Sequence, residues 1–254
     1  MSFFDGPSGR IPYHFWPARR PLAGLIFLHG AGDSHRYHRL AMTLNERRVS
    51  VLATNGVGEA QRDAPPHLSS LDVPARAVEM LAERAARRLS GIPLVLGGHS
   101  LGGTAAALAV ARNAGPYAGL VLSGTPLTRP RPRAARLPGG LVSMDLSYLP
   151  VVAGGASAPA APVPVVTPRA LEVAWQELAE RFEQVRVPVL FVHGGKDSLV
   201  PITDNRSWAY RLPVAQLAWF PRAGHDVFNT PGPPRAATTV ADFVLSAALS
   251  QAVA

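Results

Sequence analysis

The 254-residue sequence has no cysteine, and of its 25 basic residues only Lys196 is a lysine. The first absence excludes disulfides, thiolate nucleophiles and cysteine-ligated metals. The second leaves the formal net charge of +8 to arginines, scattered along the chain beside abundant Ala and Pro. A cluster stands at Arg129, Arg131, Arg133 and Arg136, without the interleaved aromatics on which nucleic-acid bases stack. That footprint argues against a nucleic-acid partner, while an anionic substrate or a peripheral lipid contact stays compatible with the charge. An uninterrupted apolar span is also lacking. The longest stretch without Lys or Arg, Leu137 to Pro168, is broken by Pro138, Pro150, Pro159, Pro162, Pro164 and Asp145, which excludes a transmembrane helix there. The amino end, MSFFDGPSGR, shows neither the basic start nor the apolar stretch of a secretory signal, so the expected location is cytoplasmic. With 47% hydrophobic and 17% charged residues, the chain has the balance of one globular enzyme domain.

Short apolar runs alternate with amphipathic segments, the pattern of an α/β fold with helices on both faces of a sheet. Buried parallel strands are predicted at Leu25–Leu28, Ser50–Ala53, Leu94–Leu96, Leu120–Leu122, Val189–Val192 and Leu217–Phe220. Phe3–Phe4 and Pro12–Trp16, flanking Gly6–Gly9, predict an antiparallel hairpin at the sheet edge. Helical spacing joins Tyr37, Leu40, Ala41 and Leu44, then Val78, Leu81, Ala82 and Ala85, and finally Val240, Phe243, Val244 and Ala247. Asp72 is the expected N-cap of the second helix, with Pro74 in its first turn. Residues 1–127 and 186–254 read as the core. Residues 128–185 read as a cap insertion over the carboxyl ends of the strands, ending in a helix whose face carries Leu171, Ala174, Trp175, Leu178 and Phe182.

The chemistry concentrates in three turns. Gly98-His99-Ser100-Leu101-Gly102 follows the apolar run Pro93–Leu96 and opens a helix to Arg112. A serine hydroxyl becomes a useful nucleophile when a sharp strand-to-helix turn lifts it clear and a base lies beside it. That turn tolerates only small residues two positions to either side, here Gly98 and Gly102. The oxyanion formed on attack needs two backbone N–H groups: that of Leu101, and one from His29-Gly30-Ala31-Gly32, where Ala31 is the candidate and a plain glycine turn the alternative. A carboxylate and an imidazole should follow in that order. His193-Gly194-Gly195-Lys196-Asp197 supplies Asp197 to orient the base, and Gly224-His225-Asp226 supplies His225 to take the proton from Ser100. His29, His99 and His193 lie in glycine-containing turns and read first as satisfied structural histidines. His99 also counts among the candidate substrate contacts, with Gly30, Leu141, Met144, Leu146 and Trp175. The cap's apolar side chains suit an acyl chain, and equally suit packing of the cap onto the core.

These turns, with the opening hairpin, Leu28 to Ser34 with Arg36-Tyr37, and Val200-Pro201, give the chain a resemblance to the α/β-hydrolase superfamily over nearly its whole length. Within it the chain resembles the monoacylglycerol lipase and lysophospholipase-like serine hydrolases. The resemblance implies a mostly parallel eight-stranded sheet and hydrolysis of small-molecule acyl esters through an acyl-enzyme, with no cofactor and no metal. Such enzymes usually carry an acidic residue and an Arg-Gly-His-Gly turn after the strand Ser50–Ala53, where this chain reads Thr54-Asn55-Gly56-Val57-Gly58. Their lid is also more helical than this Pro- and Ala-rich insertion. Three readings stay open beside ester hydrolysis: a thioesterase or an acyl-transferring, cyclising enzyme of a biosynthetic pathway; lyase chemistry without an acyl-enzyme; and a ligand-binding member of the fold.

Overall fold

The structure is a computed structural model that describes residues 2–7, 9–29, 34–54, 67–129, 165–232 and 234–253. In chain order its elements begin with β1 (Ser2–Gly6), β2 (Gly9–Trp16), β3 (Ala23–His29), a 3-10 turn (Ser34–Tyr37), α1 (His38–Glu46), β4 (Val49–Thr54), β5 (His67–Leu68) and α2 (Asp72–Arg88). There follow β6 (Leu94–His99), α3 (Leu101–Arg112), β7 (Gly119–Ser123), β8 (Val165–Val166) and α4 (Pro168–Arg181). The chain closes with β9 (Val189–Gly194), α5 (Ile202–Arg211), β10 (Ala215–Phe220) and α6 (Arg235–Val253).

Eight strands form one sheet in the order β1-β2-β4-β3-β6-β7-β9-β10. The β1–β2 and β2–β4 pairings are antiparallel and all the others parallel. The chain is thus an α/β protein whose opening hairpin closes one edge of a parallel sheet, as the sequence pattern predicts. Strands β3, β4, β6, β7 and β9 are buried at every residue, because helices cover both faces. Alternate side chains feed two separate cores. Ile26, Leu28, Leu96 and Leu122 pack with α2, α3 and α4 on one face. Leu25, Phe27, Val51 and Val121 pack with α1 and α6 on the other.

Two expectations need correction. Leu217–Phe220 is not a fully buried strand: β10 is the sheet's other edge, where Gln216 is exposed and Trp219 is 57% exposed. Asp72 is not the N-cap of α2 but its first helical residue, after Leu71. The hydroxyl of Ser70, one residue before the N-cap position, accepts the Asp72 N–H at 2.9 Å and so satisfies one of the free donors at the helix start. Asp72 instead turns its carboxylate to Ser70 and Arg112, which hold its pKa below the usual carboxylate range.

Within 128–185, residues 130–164 lie outside the described residues. Val165–Val166 pairs in parallel with His67–Leu68, and Thr167 caps α4 by accepting the N–H of Ala170, with Pro168 at the first helical position. Leu171, Ala174, Trp175 and Leu178 of α4, with Phe182 beyond it, join the core that α2 and α3 share. Helices α2, α3, α4 and α5 each end in arginine, at Arg88, Arg112, Arg181 and Arg211. A cation there meets the negative end of the helix dipole, which gives part of the excess positive charge a structural place.

Candidate active site

Strand β6 delivers Ser100 to a tight turn before α3. The residue sits at φ 54° and ψ −130°, a region that L-residues seldom occupy. Its N–H donates to the Ser123 carbonyl on β7 at 2.9 Å, and its carbonyl receives the N–H groups of Gly103 and Thr104. Space, not hydrogen bonding alone, enforces the turn. A Cβ on Gly98 would stand 2.5 Å from the Gly102 backbone, and one on Gly102 would stand 2.3 Å from the Leu28 carbonyl oxygen. The glycines on either side of the serine therefore let the start of α3 lie directly against the ends of β3 and β6. Leu101, the first residue of α3, has an N–H that no intrahelical carbonyl can reach, at the positive end of the helix.

The turns after β9 and β10 are locked together by their backbones. Gly195 N–H donates to the Phe220 carbonyl, and Lys196 N–H to the Ala223 carbonyl, both at 2.8 Å. A Cβ on Gly194 would lie 2.0 Å from the Gly224 carbonyl oxygen, so glycine permits the approach. The result is a hydrogen bond of 2.9 Å between His225 Nδ1 and Asp197 Oδ2. The other carboxylate oxygen accepts the N–H groups of Leu199 and Val200, each at 2.9 Å. The Asp197 side chain is wholly buried. Burial alone would raise its pKa, but the hydrogen bond and charge of His225 and the two backbone donors prevail and hold it below the usual range.

His99 joins the two halves. Its ring centroid is 4.6 Å from that of His225, and its Nδ1 lies 3.2 Å from the Ser123 hydroxyl. Burial, then the proximity of His225, pushes its pKa down to about 3, so this ring stays neutral. The turn that carries Ser100 and the loop that carries His225 thus meet through the residue preceding the serine.

Residues 19–151, just over half of the chain, match the family described as serine aminopeptidase, S33. The chain belongs to that family. It is 27% identical, over 90% of its own length and 90% of the relative's, to a monoacylglycerol lipase of Mycolicibacterium smegmatis. It is 35% identical to a human monoglyceride lipase over 48% of this chain and 41% of that one. Among solved structures, the monoacylglycerol lipase of Paleococcus ferrophilus superposes with a TM-score of 0.68 at 18% identity, covering 93% of this chain and 99% of the other. A soluble variant of the monoglyceride lipase from Saccharomyces cerevisiae gives 0.69 at 18%, covering 96% and 93%. The α/β-hydrolase fold read from the sequence is the fold of these structures.

Other predicted residues of this α/β-hydrolase are placed as follows. His193 is buried with both ring nitrogens facing acceptors. Asp226, beside the imidazole, pairs with Arg36 and Asn229 and not with His225. Trp175 is buried between α4 and α3, its indole N–H donating to the Pro126 carbonyl at 3.0 Å. Gly30, Ala31, Leu141, Met144 and Leu146 lie outside the described residues.

Two residues of functional weight escaped the sequence reading. Gly124 has φ 49°, and a Cβ there would press within 3.2 Å of both His225 Nδ1 and Asp197 Oδ2. Ser123 receives the Ser100 N–H on its carbonyl and faces His99 with its hydroxyl. Both follow the run Leu120–Leu122, and a glycine just past a strand at this rim was the available signal. Among the described residues no group of three or more His, Asp or Glu is arranged to hold a metal ion, and no helix is long and apolar enough to cross a membrane.

Proposed function

We propose that this chain is a serine hydrolase of carboxylic esters, taking monoacylglycerol-like, lysophospholipid-like or small apolar acyl esters through an acyl-enzyme on Ser100. The observation that carries the reading is the 2.9 Å pairing of His225 with the wholly buried Asp197, beside the strained turn of Ser100. The family and the lipases among its relatives support the same class.

In this mechanism Ser100 Oγ attacks the acyl carbonyl while His225 Nε2 takes its proton. Asp197 accepts the Nδ1–H, which fixes the tautomer and stabilises the imidazolium. The oxyanion is held by the N–H of Leu101 at the head of α3 and by that of Ala31, a donor assigned on sequence grounds. His225 then protonates the leaving alcohol, and water repeats the steps to release the acid. The inserted segment 128–185 leaves the sheet after β7, at the rim that bears Ser100, and is the natural source of the acyl-binding wall. Gly30, His99, Leu141, Met144 and Leu146 are the contacts assigned to it.

A panel of p-nitrophenyl esters of increasing chain length tests the reading in wild type and Ser100→Ala. Turnover is expected to fall by about four to six orders of magnitude in the variant. A maximum at long chains marks a lipase, and one at acetate or butyrate marks a small-ester esterase. Undiminished turnover by Ser100→Ala rules the mechanism out. A methyl ester of a long acyl chain belongs in the same panel, because one relative, 31% identical over 53% of this chain, is a pimeloyl-[acyl-carrier protein] methyl ester esterase from Aromatoleum aromaticum, and thioesters beside it separate the thioesterase alternative.

A further inference from the structure

Behind the His225–Asp197 pair runs a second buried polar chain that the proposed chemistry does not use. His193, near the end of β9, is fully buried. Its Nδ1 is 3.0 Å from Asn205 Oδ1, and its Nε2 is 3.0 Å from the Val200 carbonyl oxygen and 3.6 Å from Asp197 Oδ2. Asn205, on α5 and also fully buried, donates from Nδ2 to the Thr125 carbonyl at 2.6 Å. That donation turns the amide oxygen toward the histidine, so both ring nitrogens of His193 face oxygen acceptors, Asn205 Oδ1 and the Val200 carbonyl, and each contact is made by a ring N–H. Thr125 lies against Gly103 at the head of α3, and its hydroxyl donates to the Ser123 carbonyl, the same oxygen that receives the Ser100 N–H. A continuous path therefore joins the nucleophile turn to the carboxylate turn through Ser123, Thr125, Asn205, His193 and Val200.

We propose that His193 is a positioning residue for Asp197, its ring fixed by Asn205 and its Nε2 edge holding the turn that carries the carboxylate. Val200 is the point of leverage. Its N–H donates to Asp197 Oδ1 while its carbonyl faces His193 Nε2, so the peptide groups on both sides of Val200 are tied. Release of the carbonyl frees that turn to tilt. The 2.9 Å contact of Asp197 Oδ2 with His225 leaves only a few tenths of an ångström before the hydrogen bond weakens. The inference rests on the reading of Asp197 as the partner of the catalytic imidazole.

Glutamine and asparagine separate the two edges of the ring. The amide nitrogen of glutamine reaches the place of Nε2, and that of asparagine the place of Nδ1. Both side chains are neutral. A difference between them therefore reports the lost contact and not a changed charge among the groups that face His193, which are Asp197 on its own turn, His225 beyond it and Asp204 on α5. His193→Gln is expected to keep kcat within about threefold of wild type. His193→Asn should lose about tenfold to a hundredfold in kcat with KM nearly unchanged, the cost of a small misplacement of a catalytic group. The downfield proton resonance of His225 Nδ1–H should persist in the glutamine variant and fade in the asparagine variant.

Equal losses of kcat in the two variants, or a His193→Asn protein with wild-type kcat and an intact resonance, overturn the proposal. If His193→Asn does not fold, Asn205→Ala carries the test from the other side of the ring. It should lower kcat at constant KM and weaken the resonance, and wild-type behaviour in both overturns the proposal. The resonance decides the positioning role even if Ser100→Ala proves as active as wild type, the result that removes the ester-hydrolase reading.

Discussion

The two halves of the candidate site are held by different physics. The Ser100 turn is held by exclusion: glycines let backbone meet backbone, and the serine adopts a conformation that the packing around it dictates. The Asp197 and His225 turns also meet at a glycine, Gly194, but their functional side chains are placed by hydrogen bonds, with two backbone donors on one carboxylate oxygen and an imidazole on the other. Exclusion has no partial form, because a methyl group either fits or displaces main chain. Hydrogen bonds can be removed one at a time, so the second half should degrade in steps.

The largest expected effect breaks the first half. Gly102→Ala would set a Cβ 2.3 Å from the Leu28 carbonyl oxygen and 2.7 Å from His29 backbone carbon, atoms inside a fully buried strand. Neither can yield without moving β3. The substitution should cost about 4 kcal/mol or more, comparable with the whole stability of many domains. Denaturant unfolding measures it. A Gly102→Ala protein with a wild-type midpoint would show that close approach does not hold this turn.

The second half should fail more selectively. Asp197→Asn keeps the volume but presents an N–H₂ group or a neutral oxygen to His225 Nδ1, so the ring is no longer held in the tautomer that leaves Nε2 free to accept. A loss of about 10³–10⁴ in kcat is expected, with the fold retained at neutral pH. The folded-state pKa of Asp197 lies below its unfolded value. Its contribution to stability is therefore complete above the unfolded pKa, near 4, and is lost as pH falls through the lower folded value. The stability gap between wild type and Asp197→Asn should accordingly narrow on acidification. A gap independent of pH would mean that the buried carboxylate gains nothing from its partners.

The contrast also explains what the sequence could reveal. Exclusion leaves a local mark, since the glycines around Ser100 are two residues away, and the turn could be read without a structure. The carboxylate and the imidazole were legible because each follows an apolar strand with glycine beside it. Long-range polar partners leave no such mark. Nothing around Asn205 says that its amide meets His193 and Thr125, 12 and 80 residues away. Asp204 stands in the first turn of α5, yet its carboxylate also receives the N–H groups of Leu127 and Thr128, just past β7 and more than 70 residues earlier in the chain. Edge position was hidden for a similar reason. The apolar letters of Leu217–Phe220 resemble those of a central strand, and only the strand order shows that β10 has one neighbour. The spacing of Leu171, Ala174, Trp175 and Leu178 likewise identifies a helix without saying that its apolar face meets α3.

The smallest effect sharpens the comparison most. If the Ser100 turn is imposed by its surroundings, the serine itself bears strain at φ 54° and ψ −130°, of about 1–3 kcal/mol for such a conformation. Glycine adopts that region freely, at an entropic cost of about 0.5–1 kcal/mol in the unfolded chain. Ser100→Gly should therefore be more stable than wild type by about 1 kcal/mol while losing all activity that depends on the hydroxyl. Ser100→Ala keeps the Cβ and the strain, and is the control that separates backbone relief from loss of the oxygen. Thermal or denaturant midpoints should rank Ser100→Gly above Ser100→Ala. The reverse order would mean that the serine turn is at ease in its conformation, and that the two halves of the site are held by the same kind of force.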